Sequence, residues 1–231
     1  MNRQIVVSCI ISGLLVANVA FAQEVEYSEK KAIPTVATPT AQTPTPVEIK
    51  PSAAQAGFHR HDGFFLRLSE GLGYGQATAS DNGNDYKYSG ITTIMDIAIG
   101  YSVIENLAIT ADLFGGIQIN PKRTVNGHSV STSGIQLDSL GFGVGATYYF
   151  MPLNLYANLG IGVTEMVLDA GNTRSETNTG GGFHVGVGKE WWVSDNWGLG
   201  LAGQFFYMAV PVEDVTFHDI GFGVSFSATY N

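Results

Sequence analysis

From residue 63 onward, apolar and small or polar side chains alternate one by one along the chain. Near the end, Phe222, Val224, Phe226, Ala228 and Tyr230 share one parity, and Gly221, Gly223, Ser225, Ser227 and Thr229 share the other. Leu140, Phe142, Val144, Ala146, Tyr148 and Phe150 alternate with Gly141, Gly143, Gly145, Thr147 and Tyr149 in the same way. A period of two puts successive side chains on opposite faces of a strand. Eight segments carry the pattern: residues 63–79, 89–103, 107–120, 134–150, 154–169, 180–193, 198–210 and 216–230. They are longer than the usual five or six residues of a globular strand. They suit tilted strands that cross a bilayer in about 9–11 residues and continue beyond it.

The connections carry a second rhythm. Residues 104–106, 151–153 and 194–197 read as tight turns, whereas 80–88, 121–133 and 170–179, with a shorter 211–215, read as longer polar loops. Short and long connections alternate, as they do in an up-and-down barrel with short periplasmic turns and longer outer loops. The bulky parity cannot fill the inside of an eight-stranded barrel, which holds only a modest set of side chains. Bulky residues are therefore predicted outside, in lipid, and glycines inside. Lipid offers no partner for free backbone groups, so the sheet must close on itself. The predicted fold is all-β: an eight-stranded antiparallel up-and-down transmembrane β-barrel.

Closure sorts the remaining side chains. Arg67, Asp96, Asp112, Gln118, Asn158, Glu190 and Gln204 fall on the inner parity. Buried charges need partners, so these residues are expected to form an internal polar plug, with Arg67 as counter-ion to Asp96 and Asp112. A narrow or gated pore is the functional alternative. Tyr101, Tyr148, Phe150, Trp191, Trp192, Trp197 and Tyr230 gather near the short-turn end, where an interfacial girdle of aromatics is expected. Glu70, Glu165 and Lys189 share parity with the lipid-facing residues. Lys189 is expected to snorkel toward the short-turn end and Glu165 to sit near the outer rim. A β-bulge near Gly71 or Gly73 would turn Glu70 inward.

The first 62 residues are different. Residues 1–22 have a basic Arg3, an apolar run and Ala20-Phe21-Ala22 before Gln23, the pattern of a cleaved secretory signal. Cys9, the one cysteine, falls inside it. Residues 23–62 contain Pro34, Pro39, Pro44, Pro46 and Pro51 among Thr, Ala and Gln, and read as a disordered Pro/Thr-rich periplasmic linker. The barrel domain is then 63–231.

Composition narrows the function. Only 13% of residues are charged, against about a quarter in soluble domains, and the net charge is −9. Nucleic-acid binding, which needs a basic stripe, is not expected. Histidines are the one hint of chemistry. His184 has inner parity, His218-Asp219 opens the last strand, and His128 lies beside Ser129 and Ser131. Their spacing marks no triad, since triads are recognised by geometry. His59-Arg60-His61-Asp62 is too sparse for a metal motif. No catalytic residue, cofactor or metal is expected.

The barrel segment, with its aromatic terminal strand ending at Tyr230, resembles the small OmpA/OmpW-like outer-membrane barrels of Gram-negative bacteria. That resemblance implies contact with outer-membrane lipids and lipopolysaccharide, and handling by the barrel-assembly machinery. In the family the last residue is usually Phe or Trp; here Asn231 follows Tyr230. Some such barrels modify lipid A with His/Ser/acid groups, the least favoured of the readings. A structural or surface-interaction role through the outer loops comes first, and a pore or transporter for small or apolar solutes second. No loop partner is named by the sequence.

Overall fold

A computed structural model describes residues 60–171 and 173–231. The expected signal and most of the expected linker lie outside the described residues. Eleven strands follow in order: β1 (Gly63–Asp81), β2 (Asn84–Ile104), β3 (Leu107–Ile119), β4 (Lys122–Val125), β5 (His128–Val130), β6 (Gln136–Phe150), β7 (Leu155–Asp169), β8 (Arg174–Glu176), β9 (Gly180–Trp192), β10 (Trp197–Val212) and β11 (Val215–Tyr230). Eight of them form a closed antiparallel barrel in the order β1-β11-β10-β9-β7-β6-β3-β2, with β2 returning to β1. Each barrel strand pairs with its neighbours in the chain, and closure removes the sheet edges that lipid would leave unsatisfied.

The alternation decides which face is which. Phe226 is 74% and Ile91 75% exposed on the outside, while Arg67 inside is 1% exposed. On the outer face the apolar stretch runs from Phe64 to Tyr74 on β1, Leu140 to Phe150 on β6, and Trp197 to Tyr207 on β10. Ten residues at about 3.3 Å each, tilted by about 40°, span about 25 Å, the height of a barrel's apolar band.

The long-loop end is more ordered than its polar sequence suggests. Residues 80–88 are not a loop: β1 and β2 continue as a paired hairpin to a two-residue turn at Asn82-Gly83. Both turn residues have positive φ, 48° and 80°, which is the geometry that Asn-Gly favours. Strand polarity is unconstrained above the apolar band, so period two falls silent there. Residues 211–215 likewise hold only a tight turn at Glu213-Asp214, because Val212 pairs with Val215. Within 121–133, β4 runs on along the top of β2 after β3 departs, and a second Asn-Gly turn leads to β5. Within 170–179, β8 pairs with the upper end of β7.

Candidate functional site

The barrel interior is a stack of side-chain layers. At the short-turn end the chain enters beneath the barrel, and the Asn106 amide donates to the His61 carbonyl at 3.1 Å. The buried His61 ring stacks on Tyr149 at 3.4 Å, with Trp192 at 5.0 Å. Its Nε2 donates to Asn154 Oδ1 at 2.7 Å. Above this floor, Glu190 accepts from Tyr149 Oη at 3.2 Å and from Thr229 Oγ1 at 2.6 Å. No periodic signal marks His61, because it precedes the first strand.

The middle layer joins six strands, β1, β2, β3, β6, β7 and β9. Arg67 Nη2 pairs with Asp96 Oδ2 at 3.0 Å, and Nη1 donates to Thr147 Oγ1 at 3.0 Å. The guanidinium lies over Tyr156 at 4.9 Å and Phe65 at 5.8 Å. Asn158 Nδ2 donates to the same Asp96 oxygen at 3.3 Å and lies 3.5 Å from His184 Nδ1. His184 Nε2 meets Asp112 Oδ2 at 3.0 Å, and Phe114 stacks on the His184 ring. Arg67 therefore serves Asp96 alone. Asp112, which the sequence reading gave to Arg67, has His184 instead. The β2–β3 register at Asp112 is the expected one, with Asp112 opposite Ala98 and the shift confined to the turn between Ser102 and Ile104. Asp112 lies two strands from Arg67, which also pairs with Ala98, and is met by His184 from β9.

Glycines give this layer its room. A Cβ on Gly145 would lie 1.8 Å from Asp112 Oδ2, and one on Gly160 would lie 2.1 Å from His184 Nε2. Small inward residues on β6 and β7 thus admit a carboxylate and an imidazole from β3 and β9.

Two apolar layers complete the stack: Ile94, Phe114, Phe206 and Met208, then Ala77, Leu137, Met166 and Val210 toward the long-loop end. Gln204 borders the first of these, beside a void of about 10 Å³ shared with Asp96 and His184. That is the room of about one water. Gln118 lies inside against Gly75. Asp219 is fully buried between the apolar layers, with Ser139 and the Ile220 amide as the polar groups beside its carboxylate. The sequence reading placed it beside His218, but its parity with Gly221 and Gly223 is the signal that sends it inward.

The described histidines do not assemble a triad. His218 points outward and its Nδ1 meets Tyr207 Oη at 2.8 Å, His128 is exposed on β5, and His184 is enclosed by Asp112, Asn158 and Phe114. Among the described residues no group of three His, Cys, Asp or Glu is placed to hold a metal ion.

The outer face carries the aromatics. Tyr101, Tyr148, Phe150, Trp191 and Trp197 are exposed near the short-turn end, and Tyr230 packs between Phe64 and Trp197. Trp192 departs from the predicted girdle. Adjacent residues of a strand face opposite ways, so with Trp191 outside, Trp192 turns to the floor beside His61.

The outer membrane protein beta-barrel domain matches residues 50–227. The chain belongs to that family. This outer membrane barrel of a Gram-negative bacterium is similar to several solved structures. Neisserial surface protein A is 18% identical, with 72% of this chain and 96% of that one covered and a TM-score of 0.42. Ail, the attachment invasion locus protein of Yersinia pestis, is 14% identical, with 72% and 99% covered and a TM-score of 0.35. The outer membrane protease OmpT of Escherichia coli is 7% identical, with 77% and 99% covered and a TM-score of 0.43. At these identities and scores none of them bears on activity. No curated protein matches the chain.

The lipid setting explains two of the three outward charges. Lys189 of the outer membrane barrel reaches back to the short-turn end and donates to the Leu153 carbonyl. Glu165 stands at the other rim, where Thr179 Oγ1 donates to it at 3.0 Å. Glu70 is different. No bulge turns it inward: its pairing with Met95 and Phe226 is unbroken, and it stays exposed on the outer face. It lies between Phe64 and Tyr74, close to mid-band. A charge on a barrel's lipid face costs about 2–4 kcal/mol at the midplane for Lys or Arg and less for Glu. Glu70→Leu should therefore raise the unfolding free energy of the lipid-embedded barrel by about 1–2 kcal/mol, read as a higher urea midpoint. An unchanged or lower midpoint would place Glu70 outside the apolar band.

Proposed function

We propose that this outer-membrane barrel acts through the surface it displays at its long-loop end, in a structural or interaction role, and not through its lumen. The observation that carries the reading is the filled interior. Arg67, Asp96, Asp112, Glu190 and Asp219 are each no more than 3% exposed, which an aqueous channel lined by them would not allow. The exposed structure lies elsewhere. The β4–β5 hairpin projects Asn126-Gly127, and β5 and β8 are exposed along their whole length. Polar loops held on a rigid scaffold are the usual place for partner contact. The linker of residues 23–62 is assigned to the periplasm, and the aromatic strand β11 to recognition by the barrel-assembly machinery.

An epitope inserted between Asn126 and Gly127 should bind antibody on intact cells. Labelling only after the outer membrane is permeabilised would reverse the topology and sink the display reading. The pore reading has its own test. Refolded protein in a planar bilayer should show no discrete conductance steps, because ions would have to part the Arg67–Asp96 pair and both apolar layers. Steady steps would replace display by transport.

A further inference from the structure

Beyond the apolar band, β1, β2, β4 and β5 continue as one projecting sheet. Among the described residues β5 has no strand on its other side, and the pairing of β6 with β7 stops below it, at Gln136 opposite Asp169. The sheet therefore ends in an open edge. That edge is held in place. The Asp85 amide donates to Asn126 Oδ1 at 2.9 Å, and Asn126 Nδ2 donates to Asn84 Oδ1 at 2.8 Å, so the two hairpin tips are fastened together. A two-residue turn closes on a hydrogen-bonded pair, here Val125 and His128, and such pairs alternate along an antiparallel ladder. Ser129, opposite Thr124, takes the alternate position, so its N–H and C=O point away from β4 to the free side.

Register also fixes a face. Tyr88 packs on the inner apolar layer of Ala77, Leu137, Met166 and Val210. Arg123 is opposite Tyr88 on one side and Val130 on the other, so the three share the inner face of the sheet. Arg123 closes no ion pair among the described residues, and its Nε is buried without a hydrogen-bond partner. Val130, at the end of the row, is 62% exposed. From 122 to 130 the chain carries Lys122, Arg123 and His128 and no carboxylate, in a protein whose net charge is −9.

An open sheet edge accepts an extended peptide as an added strand, and Tyr and Arg beside apolar side chains are the anchors that protein interfaces concentrate. We propose that β5 docks an extended acidic segment of a partner protein. The segment's backbone pairs with Ser129, and a carboxylate on its inward side is taken by Arg123 across Val130. A guanidinium donates two parallel hydrogen bonds to a carboxylate. With strands about 4.8 Å apart, the Cβ of the added residue lies about 10 Å from that of Arg123, a gap that an arginine and a glutamate close together. The proposal rests on the long-loop end being the displayed surface. Binding in detergent does not depend on which end is exposed on cells, so failure here and failure of the epitope test are told apart.

The test uses the full chain refolded in dodecyl maltoside, titrated with a fluorescein-labelled peptide of alternating glutamate and valine flanked by threonines, and with its glutamine analogue. The variants are R123Q, S129P, S129A and, at the opposite rim, K189Q. Heat-shifted gel migration checks that each is folded. Wild type should bind the acidic peptide saturably. R123Q should bind it at least about tenfold more weakly, the loss of one charge-assisted contact, and should bind the glutamine analogue as wild type does. S129P removes the free edge donor and should weaken both peptides about fivefold, one backbone hydrogen bond. S129A, which loses only the hydroxyl, and K189Q should match wild type. The proposal is overturned by no saturable binding to wild type, by equal affinity of wild type and R123Q for the acidic peptide, by unchanged binding in S129P, or by an equal loss in S129A or K189Q. A hyaluronan octasaccharide that displaces the peptide at lower concentration than unlabelled peptide does would also overturn it, since the site would then be one for acidic glycans.

Discussion

Replacing Arg67 with methionine should cost the barrel about 3–5 kcal/mol, because it strands a buried carboxylate. Asp96 is 2% exposed and has two polar partners, Arg67 at 3.0 Å and the weaker Asn158 amide at 3.3 Å. Removing the guanidinium leaves one neutral donor for a full charge. Thr147 also loses its donor, and Tyr156 and Phe65 lose the cation that lies over them. The double variant R67M/D96L should behave very differently. A buried ion pair replaced by apolar groups of similar volume is often neutral or stabilising by about 1–4 kcal/mol, so most of the loss should return. Urea unfolding of protein refolded into vesicles gives the comparison, with stability read from midpoint and slope. A loss below about 1 kcal/mol for R67M would mean that the pair does not hold the middle layer together. Failure of D96L to restore stability would mean that Arg67 acts through its packing on Tyr156 and Phe65.

The same layer shows how far the sequence reaches. Which side chains face inward follows from parity alone, since one choice of face fixes every residue of an alternating strand. Arg67, Asp96, Asp112, Asn158, Glu190 and Gln204 follow that rule, and so does Asp219 once counted from Gly221. Who meets whom does not follow. Asp112 and His184 are 72 residues apart, and their contact depends on the registers of several strands together with the width of the barrel. Polar segments such as Asn84–Ser89 give no face signal at all, and there the Asn82-Gly83 turn was the better guide. Two adjacent tryptophans looked like one girdle, yet the pleat that gives the alternation its meaning also separates Trp191 from Trp192.

Gly143→Ala should destabilise the barrel by on the order of 3 kcal/mol, the upper end of the usual overpacking cost, whereas Gly203→Ala should leave it as stable or slightly more so. The two glycines have the same side chain and opposite surroundings. Gly143 on β6 faces Gly162 on β7 from the inner wall. A Cβ there would lie 1.9 Å from the Ile161 carbonyl oxygen and 2.5 Å from Gly162 Cα. Both obstacles are backbone, so no rotamer change relieves them, and the strands must move apart at a point where the closed sheet has no slack. Gly162 is the mirror of this contact, with a Cβ 2.3 Å from the Phe142 carbonyl oxygen. Gly203 on β10 faces outward, and a Cβ there meets nothing within 4 Å. Alanine at that position relieves the entropy penalty of a strand glycine, about 0.5–1 kcal/mol. Heat-shifted migration and the urea midpoint of each variant distinguish the cases. Gly143→Ala refolding with an unchanged midpoint would show that β6 and β7 do not approach so closely. The inward glycines would then be space left for Asp112 and His184, and not a requirement for closing the wall.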